Sequence, residues 1–238
     1  MKYLVVKIRS QTASFRDPDF QNFHKSLMLP PPTTIIGFFG SAMGLSAKKA
    51  QDFFEKNEFE FGVIGKSGGL VKDLWKYSSF DAKTYKSGII HKEILVDNIV
   101  FVLVGCNDEV IINQLRDAVL NPVFALTLGN SDSLALIYYV KIVDETESID
   151  MVSNCMLEGD IVEEVLSNTD KGLNFSIYTS SDPIAYNLPV GFEYKGDYDV
   201  RKVTKRKTFS FIGEEMLLNV KKKAVKIEDK YIPVFTLK

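Results

Sequence analysis

Between Lys66 and Lys92, six lysines are interleaved with Trp75, Tyr77, Phe80 and Tyr85, against two carboxylates, Asp73 and Asp81. Cations for phosphates and aromatic faces for bases are the two ingredients of single-strand nucleic-acid binding. A second stretch, Pro30-Pro31-Pro32-Thr33-Thr34-Ile35-Ile36-Gly37-Phe38-Phe39-Gly40-Ser41-Ala42-Met43-Gly44, offers hydroxyls beside backbone that lacks side chains. At helical spacing Gly37, Gly40, Ser41 and Gly44 share one stripe, with Ile35, Ile36, Phe39, Ala42 and Met43 mostly opposite. Three glycines within two turns cost roughly 1 kcal/mol each relative to alanine, so the stripe predicts close approach by a second object. That object is either this protein's own backbone or a sugar-phosphate chain across the helix start, where free amides and threonine hydroxyls can bind an anion. No Gly-Lys-Ser/Thr directly continues this glycine run, which excludes a Walker phosphate loop there.

The net charge of −2 does not announce a polyanion partner, but charge is segregated along the chain. Asp144 to Asp170 holds nine acidic residues and no lysine or arginine, a belt that cannot face nucleic acid. The C-terminal part is basic again, through Arg201-Lys202, Lys205-Arg206-Lys207 and Lys221-Lys222-Lys223. The plain alternative for each basic cluster is a solvated face. Cys106 and Cys155 lack CxxC spacing and read as reduced structural thiols, and His24 and His91 are the only histidines, so no metal site or cofactor is expected. No apolar run is long enough to span a membrane, and Met1 to Lys7 alternates like a strand rather than a secretory leader, so a cytoplasmic location is expected.

These residues need elements to position them. Tyr3 to Ile8 reads as a strand, followed by a polar loop through Arg16 and Lys25. A helix starts near Thr33, with Thr33 or Thr34 as its cap, and a second runs from Ala47 to Lys56. Phe59 to Ile64 and Ile94 to Val104 read as strands, and the basic aromatic segment between them suits a long β-hairpin over 65–93. Glu109 to Leu120 has helical spacing, and Leu134 to Val143 is a strand. That order describes an α+β fold, a ferredoxin-like (RRM-type) sheet over residues 1–145. After a short helix at Ile161 to Leu166, the runs Phe175–Tyr178, Gly191–Tyr194, Lys207–Ile212, Leu217–Val220, Ala224–Ile227 and Tyr231–Leu237 predict a smaller antiparallel β domain over 146–238.

Four ordered blocks carry a family resemblance: Ser14-Phe15-Arg16-Asp17-Pro18, Pro31 through Gly44, Ile94-Leu95-Val96-Asp97-Asn98, and Asn121-Pro122-Val123-Phe124-Ala125-Leu126-Thr127-Leu128-Gly129-Asn130-Ser131-Asp132-Ser133. Together they resemble the fifth family of CRISPR-associated proteins, RAMP-type subunits of the type I Cascade surveillance complex, most closely its type I-B branch. The resemblance implies a non-catalytic, antiviral role. Such a subunit holds the 5′ handle of the guide RNA and contacts a backbone subunit and the large subunit, and through them target DNA. It also implies that the 65–93 hairpin is a thumb reaching over the RNA. On this reading Thr33, Thr34, Gly37 and Ser41 meet handle phosphates, flanked by Arg16 and Lys25. Lys66, Lys72, Trp75, Lys76, Tyr85 and Lys92 clamp or stack the strand, and Gly129, Asn130 and Ser131 add donors beside it. No membrane or small-molecule substrate is implied.

Two other classes compete. One branch of the family, in type I-C systems, cuts precursor RNA without metal, at a site resembling a tyrosine, lysine and histidine set. Here His91, Lys92 and Tyr85 are the set that could move a proton and hold a phosphorane. The family's Lys-His pair follows the central strand, where this chain reads Gly105-Cys106-Asn107-Asp108-Glu109. The other class is an interaction module without RNA, in which the glycine stripe packs protein and the lysines serve solubility.

Overall fold

A single strand of 23 residues, Thr84–Cys106, joins the second half of the basic aromatic segment to the apolar run Ile94 to Val104. The computed structural model describes residues 1–20, 22–81, 84–161, 183–195 and 200–238, and between 79 and 86 the backbone alone. The chain runs β1 (Lys2–Ala13), β2 (Phe15–Arg16) and β3 (Ser26–Leu27), then helices α1 (Pro32–Met43) and α2 (Ala47–Lys56). Next come β4 (Glu60–Lys66), β5 (Gly69–Asp81), β6 (Thr84–Cys106), α3 (Glu109–Leu120), β7 (Leu136–Val143), β8 (Thr146–Val152) and β9 (Cys155–Glu158). From residue 183 onward the described elements are strands: β10 (Ile184–Tyr194), β11 (Arg201–Ile212), β12 (Met216–Ile227), β13 (Lys230–Pro233) and β14 (Phe235–Thr236).

β1 and the second half of β6 are apolar on both faces, which places them in the middle of a sheet covered on both sides. Leu4, Val6, Ile8, Val102 and Val104 face one core with Phe39, Phe54, Ile112 and Leu115 of the three helices. Tyr3, Val5, Phe101 and Leu103 face a second core with Met216, Val225, Ile227 and Ile232. The nine-stranded antiparallel sheet has the order β10-β11-β9-β4-β6-β1-β7, with β14 added to β4 and β5 to β6. A three-stranded sheet, β13-β12-β8, covers its other face. Strands on both sides of residue 145 share the helix-side core, because Met156, Leu188, Phe209, Phe211 and Phe235 supply apolar side chains to it.

Along one edge, β6 changes neighbour. Lys66 of β4 pairs with Ile99 and Gly69 of β5 pairs with Val96, so the register is kept across the gap. Between them Asp97 takes a left-handed φ of 51°. Leu95 and Val100 both reach the helix-side core, which strict alternation would forbid, so the turn at Asp97 rotates the strand. The buried Asn98 amide holds this bend: Nδ2 donates to the carbonyls of Ser10 (3.4 Å) and Leu95 (3.1 Å), and Oδ1 accepts from the Ser67 hydroxyl (2.7 Å). Beyond the bend, Gly69–Asp81 and Thr84–Val96 form an antiparallel hairpin.

The local predictions for α2 and α3 match in extent, capped by Ser46, which accepts from the Lys49 amide, and by Asp108, which accepts from the Val110 amide. The α1 start differs. Pro31 occupies the cap position without a side-chain bond, and the helix begins at Pro32, whose ring fixes φ in advance. Thr33 and Thr34 therefore sit inside the first turn and do not cap it. The two runs Leu217–Val220 and Ala224–Ile227 are one strand, β12, interrupted by a register shift between Leu217 and Lys222. The run Tyr231–Leu237 is divided between β13 and β14. The acidic belt contains β8 and β9, hidden in the sequence by their charge. Its acids pair across the fold: Asp144 with Lys2 (3.0 Å), Glu147 with Lys226 (3.5 Å) and Glu158 with Lys207 (2.6 Å). The short helix expected at Ile161 to Leu166, Ile161 apart, and the strand at Phe175–Tyr178 lie outside the described residues.

The glycine stripe of α1 separates into three causes. A Cβ on Gly40 would stand 2.7 Å from the Ala50 Cβ, so this glycine lets α1 and α2 touch. Gly44 ends the helix at φ 71°, its amide and that of Leu45 bonding back to Ser41 and Gly40 carbonyls. A Cβ on Gly37 would meet nothing within 4 Å.

Urea unfolding checks both arguments. Gly37→Ala should stabilise the isolated chain by about 0.5–1 kcal/mol through helix propensity, whereas Gly40→Ala should destabilise it by about 1–3 kcal/mol through overpacking. Asn98→Ala should cost about 1–3 kcal/mol by leaving buried partners of the bend unpaired. Asp97→Val should cost about 1–2 kcal/mol at a position Asp97→Gly leaves intact.

Candidate nucleic-acid interface

The first turn of α1 offers hydroxyls more than amides. Pro31 and Pro32 have no N–H, and the Thr34 and Ile35 amides donate to the Pro31 carbonyl at 2.9 and 3.2 Å. The anion site expected from free amides is therefore built differently. Thr33, Thr34, Gly37, Phe38 and Ser41 of α1 line a cleft of about 280 Å³ with Thr127, Gly129 and Arg201. Four hydroxyl-bearing residues and one arginine are among the residues that line it, and no acidic residue is. Gly37 is part of the lining, and a Cβ added there would meet no protein atom within 4 Å.

Arg201 is the member that sequence reasoning did not assign to the site. It reaches α1 through a relay of packing: Gln51 Nε2 donates to the Phe192 carbonyl (2.9 Å), the Phe192 amide donates to Gln51 Oε1 (3.1 Å), and the Arg201 guanidinium lies 4.4 Å over the Phe192 ring. The signal available was the basic pair Arg201-Lys202, but nothing in the intervening 160 or so residues ties it to α1. Most other cations of the C-terminal clusters are engaged internally. Lys205 and Arg206 donate to the Leu237 and Asn187 carbonyls, Lys207 pairs with Glu158, and Lys223 pairs with Glu60.

Gly129 links the cleft to the hairpin. At φ 89° its Cα presses on the Ser14 carbonyl so closely that a Cβ would collide with it, and the Ser14 hydroxyl donates to the Glu93 carbonyl of β6 (2.9 Å). Asn130 and Ser131 stand at the tip of that loop and do not line the cleft, so the three loop residues expected to act together are divided.

On the hairpin, Lys72 and Lys76 are exposed and share one face of β5, while Lys66 is exposed at the end of β4. Trp75 lies on the other face, its indole N–H donating to Asp73 Oδ2 at 2.9 Å. Lys92 departs from the expected clamp: it is 2% exposed and its Nζ sits 3.5 Å from the Trp75 ring centroid. Burial lowers its pKa from the ordinary lysine value, opposed by the Asp132 and Asp73 carboxylates. Tyr85 pairs with Phe80 near the hairpin tip, and its side chain lies outside the described residues.

The expected polar loop through Arg16 and Lys25 braces the hairpin base. The His24 amide donates to the His91 carbonyl (2.9 Å) and the Glu93 amide to the His24 carbonyl (2.8 Å). Arg16 is exposed on β2, but Lys25 is half-buried, 3.8 Å from the Asp17 carboxylate and between the rings of Phe20 and Tyr186. Rather than facing solvent, His24 is half-buried, and burial with Arg16 and Lys92 nearby lowers its pKa below the ordinary histidine value. Among the described residues no group of three or more His, Cys, Asp or Glu side chains could hold a metal ion, and no helix is long and apolar enough to cross a membrane.

No curated protein sequence matches this chain. Two solved structures share its fold. One, a CRISPR RNA-guided surveillance complex, is 14% identical, covering 92% of this chain and 91% of its own, with a TM-score of 0.50. The other, a CRISPR protein from Archaeoglobus fulgidus, is 13% identical over 99% and 100%, with a TM-score of 0.53. Residues 3–209 match the family described as CRISPR-associated protein (Cas_Cas5). A match over that much of a 238-residue chain places it there: the protein belongs to the CRISPR-associated protein (Cas_Cas5) family.

Proposed function

We propose that this chain is a non-catalytic RNA-binding subunit of a type I CRISPR Cascade complex, of the type I-B branch, that holds the 5′ handle of the guide RNA in the cytoplasm. In this role it docks a backbone subunit and the large subunit. The observation that carries the reading is the cleft at the start of α1, lined by four hydroxyl-bearing residues, Arg201 and a Gly37 whose Cβ position is open, with no acidic residue among them. Hydroxyl donors and one guanidinium suit a phosphate diester, which accepts hydrogen bonds and carries one negative charge.

The strand order supports the same reading. Within the large sheet, β4-β6-β1-β7 with α1–α2 and α3 as crossovers on one face is the arrangement of a ferredoxin-like unit, and the hairpin of β5 and β6 is its thumb. Exposed Lys72 and Lys76 reach the handle from the thumb, while Arg16 continues the cationic path at its base. Lys25 and Lys92 act by holding that base together rather than by touching phosphates.

A non-catalytic role is favoured over the nuclease by the runner-up residues themselves. His91 is exposed and Lys92 is buried under Trp75, neighbours on one strand whose side chains point to opposite faces. One phosphate cannot meet both in that arrangement. The interaction module without RNA gives no reason for a cleft lined by hydroxyl-bearing residues and a helix-weakening glycine.

The test is fluorescence anisotropy with a repeat-derived handle RNA in EDTA. Gly37→Leu, which fills the cleft, should weaken binding at least about tenfold with no loss of thermal stability. Lys72→Glu with Lys76→Glu should weaken binding and reduce the salt slope by about 1.4, for two single-strand phosphate contacts. Unchanged binding in both variants overturns the assignment, and RNA cut in EDTA transfers it to the nuclease.

A further inference from the structure

We propose that Trp75 and Tyr77 form a base-stacking platform that prefers purines, its preference set by the Lys92 ammonium beneath the indole. The proposal rests on the RNA-binding reading above and goes beyond it by naming the base class and the residues that select it.

Trp75 and Tyr77 are two residues apart on β5, so they share a face at a spacing of about 7 Å. Each ring is laid across β6. The Trp75 ring covers Lys92, and the Tyr77 ring covers Gly88, where an added Cβ would stand 2.7 Å from the phenol oxygen. Gly88 is thus the residue that lets Tyr77 lie down. Both outer faces remain open, with Trp75 37% and Tyr77 53% exposed.

The indole is held in two directions. Its N–H donates to Asp73 Oδ2, and Asp73 Oδ1 accepts from the Leu74 amide at 2.8 Å. Its inner face rests on the ammonium. A packing role alone would be met by Met or Leu, because a buried ammonium is costly without a partner. Among the described residues Lys92 has no ion pair; the Asp132 and Asp73 carboxylates act on it from beyond ion-pair distance, and the π face lies directly against the charge. That cation draws electron density inward and leaves the outer face electron-poor, the complement of an electron-rich purine ring. Lys72 and Lys76, one residue away on the opposite face of β5, stand where the phosphates of a strand crossing the hairpin edge would pass.

Trp75 is the only tryptophan in the chain, so its emission reports on this platform alone. The full chain is titrated with oligoadenylate and oligouridylate octamers. Both should change Trp75 emission, oligoadenylate at a concentration at least about fivefold lower. Trp75→Ala should lose about fivefold or more in oligoadenylate affinity, with Trp75→Phe retaining most of it. Lys92→Met should still bind, by anisotropy, but with an adenylate-to-uridylate ratio near one, a readout that lost packing would not move. Equal affinities for the two octamers in the native chain, or unchanged emission while Gly37→Leu still weakens binding, overturns the platform and leaves the RNA-binding reading standing. An emission change that appears only on adding purified partner subunits without RNA assigns the rings to a protein interface and overturns it too. Failure of the native chain to bind either octamer overturns both.

Discussion

The bend in β6 at Asp97 and Asn98 is the constraint on which the rest of the molecule depends. One strand serves as the centre of a two-sided core and then leaves it as half of a hairpin. Both duties are compatible because the turn rotates its faces without slipping its register. The Asn98 amide, bonded to Ser10, Leu95 and Ser67, ties that turn to β1 and to the link between β4 and β5. A buried amide with its bonds satisfied is rigid, and its neighbours become costly orphans if it is removed. The direction of the hairpin is therefore a property of the core.

The same logic joins the cleft to the hairpin. Gly129 presses on Ser14, Ser14 bonds Glu93 of β6, and Gln51 fixes Phe192 under Arg201. Residues from the start, middle and end of the chain thus meet around one polar cavity. Gly37 costs helix propensity and returns no internal contact, which is the pattern expected where a helix keeps space for something outside the protein. Elsewhere, charge that is segregated along the chain is matched in the fold: acids of 144–158 meet Lys2, Lys226 and Lys207, leaving the hairpin lysines as a more isolated cationic feature.

Local signals were legible and relayed ones were not. Helical spacing gave α2 and α3 to the residue, and a lysine-rich, glycine-punctuated segment between two strands indicated a hairpin. The triple proline located α1, but not that its own ring would displace threonine from the cap and remove amides from the anion site. The three glycines looked like one stripe because spacing reports a face and not what stands against it; Ala50, a left-handed cap and open cleft are three separate answers. Arg201 could not be found because its place depends on a ring positioned by a glutamine far away in sequence. Lys92 read as a clamp from its charge, whereas its burial follows from a diagonal contact with Trp75.

The central claim is that the α1 cleft and the hairpin hold one RNA strand. Photocrosslinking of a 4-thiouridine-substituted repeat RNA, with the attached peptides identified by mass spectrometry, tests it most directly. The account predicts adducts within residues 33–41 and 72–77. Adducts confined to β8, β12 and the acidic belt would contradict it.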